Sequence, residues 1–216
     1  MIINHDTKEY REKWEHLHNN KWNGAFYYSK EICKFLIPNI ETDRNWITVN
    51  VKGVGCDHAI VFIHNNLHPE NYDWLSKYDD LILVCGIKET CDKVKYLGKT
   101  IYLPLSIDTE DVKKYKAQKT KETAFAGRRS KAKGIEFDES VEFITGLPRT
   151  KFLKELAKFR QVFAVGRVAI EARCLDCKIL KYDERYPNTQ LWRVRDIRDM
   201  VPIFQKKLDK AERSKK

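Results

Sequence analysis

The segment GRRSKAKG at 127–134 sets Arg128 and Lys133 between two glycines, directly after the apolar run TAFAG. Arginine offers a planar fork of donors and lysine a mobile point charge, so the pair suits a diphosphate held from two sides. Further along, VFAVGRVAIEA at 162–172 passes from an apolar strand through Gly166 into a helical pattern beginning near Arg167. A glycine there lets the backbone turn tightly. The helix start presents free N–H groups and a positive dipole end, a seat for phosphate. Glu171, one turn in, interrupts a burying run of Val168, Ala169, Ile170 and Ala172. A buried carboxylate needs a partner, and a pair of ribose hydroxyls across a cleft is one. The plain alternatives are a solvated basic loop for GRRSKAKG and a glutamate that merely complements the helix dipole.

Other chemistry-bearing patterns carry less. CLDC at 174–177 is a single C-x-x-C; Cys85 and Cys91 are the candidates to complete a zinc set, but Cys85 ends a strand-like run and buried free cysteine is common. His64 and His68 have helical metal spacing, yet HNNLHP follows a strand and meets Pro69. The chain contains no D-x-D metal motif, no phosphate-binding G-x-x-x-x-G-K-[ST] loop and no G-x-S-x-G elbow.

Short apolar runs alternating with helical patterns must position these groups, which is the signature of βαβ units and a parallel sheet. The runs 46–51, 59–64, 81–86 and 100–105 are nearly continuous in apolar residues, as strands buried on both faces are. Helix candidates lie at 25–36, 69–78 and 88–98. The charged stretch 109–123 lacks a large apolar face and reads as a short helix or linker. A second set follows: strands 123–127, 141–146, 161–165 and 178–183, with helices at 149–159 and 167–175. The tail from 191 is expected to be helical, with a break or kink at Pro202. Two α/β halves in tandem place a ligand at the carboxyl ends of the strands.

Composition sets the partner class. Forty-one Lys and Arg against 31 Asp and Glu give +10, which favours anionic partners such as nucleotide phosphates or nucleic acid. Part of the excess sits in the tail 205–216, with six basic and two acidic residues. The N-terminus has no signal-length apolar core, and no apolar run is long enough to span a bilayer, so a cytoplasmic protein with reduced cysteines is expected.

In order and spacing these features resemble glycosyltransferases of the GT-B architecture, in particular the retaining kind that use nucleotide-sugar donors. The second domain of that family carries a strand, G-R and, several residues on, K-G, matched by Gly127, Arg128, Lys133 and Gly134. A G-x-x-x-x-E-A segment follows, matched by Gly166, Glu171 and Ala172. The first domain tends to close on P-x-x-[VI]-D, matched by Pro104, Ile107 and Asp108. The family's amino-terminal glycine loop is echoed by Gly24 ahead of a helix, and its strand-end histidine on the acceptor side by His64.

The resemblance covers residues 23–183 and implies two small Rossmann-like domains facing each other across a cleft. They are an acceptor-side domain at 1–108, a linker at 109–122, and a donor-nucleotide domain at 123–216 with a C-terminal helix. It implies that Arg128 and Lys133 bind the donor diphosphate and stabilise charge on the leaving phosphate. Glu171 is expected on the donor ribose, and Gly127, Gly166 and Arg167 around the nucleotide. Gly24 and His64 are expected on the sugar or acceptor side. Phe163 stands eight residues before Glu171, where retaining members carry another glutamate against the donor sugar. The implied activity is metal-independent transfer of a sugar from a nucleotide-diphosphate sugar to an unnamed acceptor, with no cofactor beyond that substrate. The rival readings are a basic nucleic-acid-binding protein, a DNA-modifying glycosyltransferase, and a catalytically inactive sugar-nucleotide-binding module.

Overall fold

A computed structural model describes residues 1–14, 24–49, 51–64, 69–127, 137–182 and 188–213. The protein is α/β, and its chain divides into two compact units. One comprises Met1–His18, Ala25–Pro104 and Ile197–Lys216, the other Asn19–Gly24 and Leu105–Asp196.

In the first unit, strands β1 (Ile2–Ile3), β2 (Asn45–Ile47), β3 (Ala59–Ile63), β4 (Leu81–Cys85) and β5 (Lys99–Tyr102) form one parallel sheet in chain order. Every residue of β3 and β4 is buried, which is why their sequences are continuous apolar runs rather than alternating ones. On one face, Ile47, Val61 and Leu83 belong to a core completed by Tyr10 of α1 (Lys8–Trp14) and Val94 of α3 (Lys88–Val94). Tyr72 and Leu75 join it from a 3₁₀ segment at Pro69–Lys77.

On the other face Trp46 stacks on Phe62 at 6.2 Å. Tyr28 of α2 (Gly24–Glu31) meets Phe62 edge-on at 6.2 Å. Phe204 of α7 (Met200–Arg213) reaches Trp46 at 6.1 Å and Phe62 at 5.9 Å. The C-terminal helix, expected with the second half, therefore packs within the first unit. Its buried Phe204 and Leu208 dictate this, and Lys207 Nζ donates to Tyr102 O at 2.5 Å. Pro202 does not kink it. As the third residue of the helix it falls where an N–H has no intrahelical partner to lose.

The second unit holds β6 (Lys121–Ala126), β7 (Glu142–Ile144), β8 (Phe159–Phe163) and β9 (Lys178–Leu180), all parallel, in the order β7-β6-β8-β9. From β6 the chain goes to one side for β7 and returns to the other side for β8. The strand order thus reverses between β6 and β8, the geometry that opens a crevice at the carboxyl ends of such sheets. Ala124, Ala126, Ile144 and Val162 line a buried face. α5 (Arg149–Leu156) links β7 to β8, and α6 (Arg167–Cys174) links β8 to β9.

The expected linker is part of this unit. α4 (Thr109–Lys113) buries Val112 completely, Asp108 caps it by accepting from Asp111 N at 3.3 Å, and Ile107 bridges to Asp196. The unit boundary consequently falls after Pro104, within the P-x-x-I-D turn.

Charge divides unevenly. The second unit's sequence holds 22 Lys and Arg against 14 Asp and Glu, a net of +8, whereas the first holds 19 against 17, a net of +2.

Candidate functional site

The carboxyl ends of three neighbouring strands in the second unit leave the sheet through glycine. Gly127 follows β6 with φ +152°, Gly146 follows β7 with φ +68°, and Gly166 follows β8 with φ +64°. Gly166, with ψ −140°, occupies a region that residues with a Cβ scarcely enter. A Cβ added at Gly146 or Gly166 would meet nothing within 4 Å. Conformation rather than crowding selects glycine at both, and the space beside the backbone is open. The reversal point lies between the ends at Gly127 and Gly166.

An arginine stands close behind each glycine in sequence: Arg128, Arg149 and Arg167. Arg149 is the first residue of α5 and Arg167 the first of α6. Their guanidiniums converge on one carboxylate. Arg149 Nη1 donates to Glu171 Oε1 at 2.6 Å, and Arg167 Nε donates to the same oxygen at 2.9 Å. Arg149 Nη2 donates to Asp111 Oδ2 at 3.1 Å. Glu171 is 0% exposed, Arg167 7% and Arg149 9%. Burial works against the charge on Arg149, but Glu171 beside it more than offsets this and holds its pKa above the ordinary arginine value.

The carboxylate expected on a ribose is thus engaged by two guanidiniums inside the second unit. Sequence reasoning missed Arg149 and Asp111. The signal for Arg149 was present in TGLPRT, which repeats the strand-exit glycine and helix-start arginine of VGRVA. Arg128 and Lys133 lie outside the described residues.

In the first unit His64 follows β3, and its Nε2 donates to Thr48 O at 2.5 Å. A carbonyl can only accept, so the proton sits on Nε2. Burial pushes the pKa of the ring below its ordinary value, although the bond to Thr48 acts the other way. Gly24 opens α2, and Tyr28, one turn on, meets the His64 ring edge-on at 5.7 Å. Tyr28 of the helix that Gly24 opens thus packs against His64 within the first unit, while Gly24 itself is grouped with the second.

The CLDC thiols face backbone carbonyls. Cys174 Sγ donates to Thr109 O at 3.8 Å and Cys177 Sγ to Leu156 O at 3.5 Å. Burial pushes the Cys174 thiol up to about 11. Cys85 and Cys91 belong to the first unit. Among the described residues no group of three or more His, Cys, Asp or Glu is placed to hold a metal ion. No helix among them is long and apolar enough to cross a membrane. No protein-family model, curated protein or solved structure matches the chain.

Proposed function

We propose that the protein is a small, metal-independent glycosyltransferase of the GT-B kind, binding a nucleotide-diphosphate sugar at the carboxyl edge of the second sheet. The observation that carries this reading is the trio Gly127, Gly146 and Gly166 at adjacent strand ends, flanking the reversal of strand order. Backbone N–H groups at such exits approach a diphosphate closely, and a unit with net +8 favours an anion there.

In this reading Arg128 and Lys133 hold the diphosphate and stabilise charge on the leaving phosphate. Glu171 acts through Arg149 and Arg167: two cations at two helix starts, fixed by one carboxylate, hold the exits from β7 and β8 in register. The first unit supplies the acceptor side, with His64 against the transferred sugar. The finer arrangement, two Rossmann-like domains about a cleft, belongs to the same proposal. Turnover tests it: chromatography should detect nucleoside diphosphate released from at least one UDP-, GDP- or ADP-sugar. A chain that binds donors and releases nothing, with or without a glycan acceptor mixture, is a binding module instead.

A further inference from the structure

The face of the second sheet opposite Ala124, Ala126 and Val162 is built differently from that buried face. Register places Phe143 of β7, Phe125 of β6 and Phe163 of β8 side by side, so their rings project from the same side of three adjacent strands. Phe125 is fully buried, whereas Phe163 is partly exposed and Phe143, on the edge strand, is 44% exposed. Phe137 lies against all three, with ring centroids at 5.4, 5.7 and 5.0 Å from Phe125, Phe143 and Phe163. Tyr182, beyond β9, meets Phe125 edge-on at 5.2 Å. Further toward the amino ends the same face carries Thr123 bonded to Gln161 at 2.9 Å and an exposed Lys178, then the buried Phe159 beneath the Lys121 ammonium.

Phe125 is fully buried, so the accessible aromatic surface of this face is Phe143, with parts of Phe163 and Tyr182. Aromatic rings presented on one face of a small four-stranded sheet, with the other face buried by aliphatic residues, are how such sheets stack unpaired bases. The row spans three strands at about 4.8 Å each, wider than one base. The net +8 of the unit also exceeds what a single diphosphate requires.

We infer that this aromatic face binds single-stranded nucleic acid, the bases lying on Phe143, Phe163 and Tyr182 and the unit's excess positive charge drawing in the backbone. The inference does not depend on glycosyl transfer. Duplex DNA hides its base faces and is not the expected partner.

Fluorescence anisotropy of a labelled single-stranded oligothymidylate with the full chain tests it. Binding should be detectable at ~50 mM salt and weaken steeply by ~200 mM. Phe143→Ala should weaken it about tenfold while Phe143→Trp preserves it. Phe143 is exposed enough for both variants to fold, and a matching far-ultraviolet circular dichroism spectrum checks this. Tyr182→Ala gives a second, independent loss. The inference is overturned by no binding at the lower salt, by equal affinity for duplex and single strand, or by Phe143→Ala and Tyr182→Ala binding as wild type does. Competition by free thymidine diphosphate at equimolar concentration also overturns it, because that outcome defines a mononucleotide pocket. Donor-sugar binding is a separate measurement, so the failure of either proposal leaves the other standing.

Discussion

Arg149 and Arg167, each the first residue of its helix, share a single oxygen of Glu171, at 2.6 and 2.9 Å. The three side chains tie the start of α5 to α6 with almost no exposed surface. Removing the carboxylate leaves two buried cations facing each other. Glu171→Ala should therefore cost about 3–5 kcal/mol of unfolding free energy, with Glu171→Gln intermediate. Urea denaturation measures this. A loss below about 1 kcal/mol would show that the arginines find other partners and that Glu171 does not organise the site.

The first unit carries a pH-sensitive contact of its own. His58 Nδ1 lies 2.6 Å from Asp80 Oδ2, and His58 Nε2 lies 3.1 Å from Asp43 Oδ1. Asp80 first and Asp43 second hold the imidazolium, raising the His58 pKa above its ordinary value. Arg44, bonded to Asp80 and to Glu212 of α7, opposes the charge but does not reverse the shift. A raised folded-state pKa gives a stabilisation that is complete below about pH 6.5 and disappears as pH rises through the folded value. The ring is 44% exposed, so solvent screening keeps the effect small. The melting temperature of wild type should fall toward that of His58→Asn as pH rises above about 6.5. A difference independent of pH contradicts this.

Phe204 on α7 is fully buried against Trp46 and Phe62. Phe204→Ala should cost about 3–5 kcal/mol. Amide exchange should show where: protection in β3 and β4 falls, while β6 and β8 keep theirs. Loss of protection in β6 and β8 instead would place the helix with the second unit.

The centre of the first sheet was legible because β3 and β4 are buried on both faces, and a continuous run such as LILVC announces such a strand without reference to distant partners. Ile2–Ile3 was missed because two residues carry no period; only pairing with Trp46 and Ile47 makes them a strand. Pro69–Lys77 has helical apolar spacing but winds as 3₁₀. The placement of α7 depends on which apolar surface receives Phe204, information held in Trp46 and Phe62 far away in sequence. The linker expectation failed for a similar reason. The stretch shows no large apolar face, but its short helix Thr109–Lys113 buries Val112, and Asp111 meets Arg149 of α5. At the site, the glycines were readable as turns, because a strand end followed by a helix requires a backbone that L side chains resist. The partner of Glu171 was not readable. A carboxylate inside an apolar helix demands a donor, and nothing in its neighbourhood distinguishes a guanidinium from a ribose.

Nucleoside diphosphate binding tests the central claim most directly. Isothermal titration calorimetry of the full chain with UDP, GDP and ADP should give saturable heat for at least one. Arg128→Ala should weaken that binding about 10- to 100-fold, the loss of a charge-assisted hydrogen bond to phosphate. The absence of heat with all three nucleotides, or an Arg128→Ala chain that binds as wild type does, contradicts the assignment of the second sheet's carboxyl edge as a donor site.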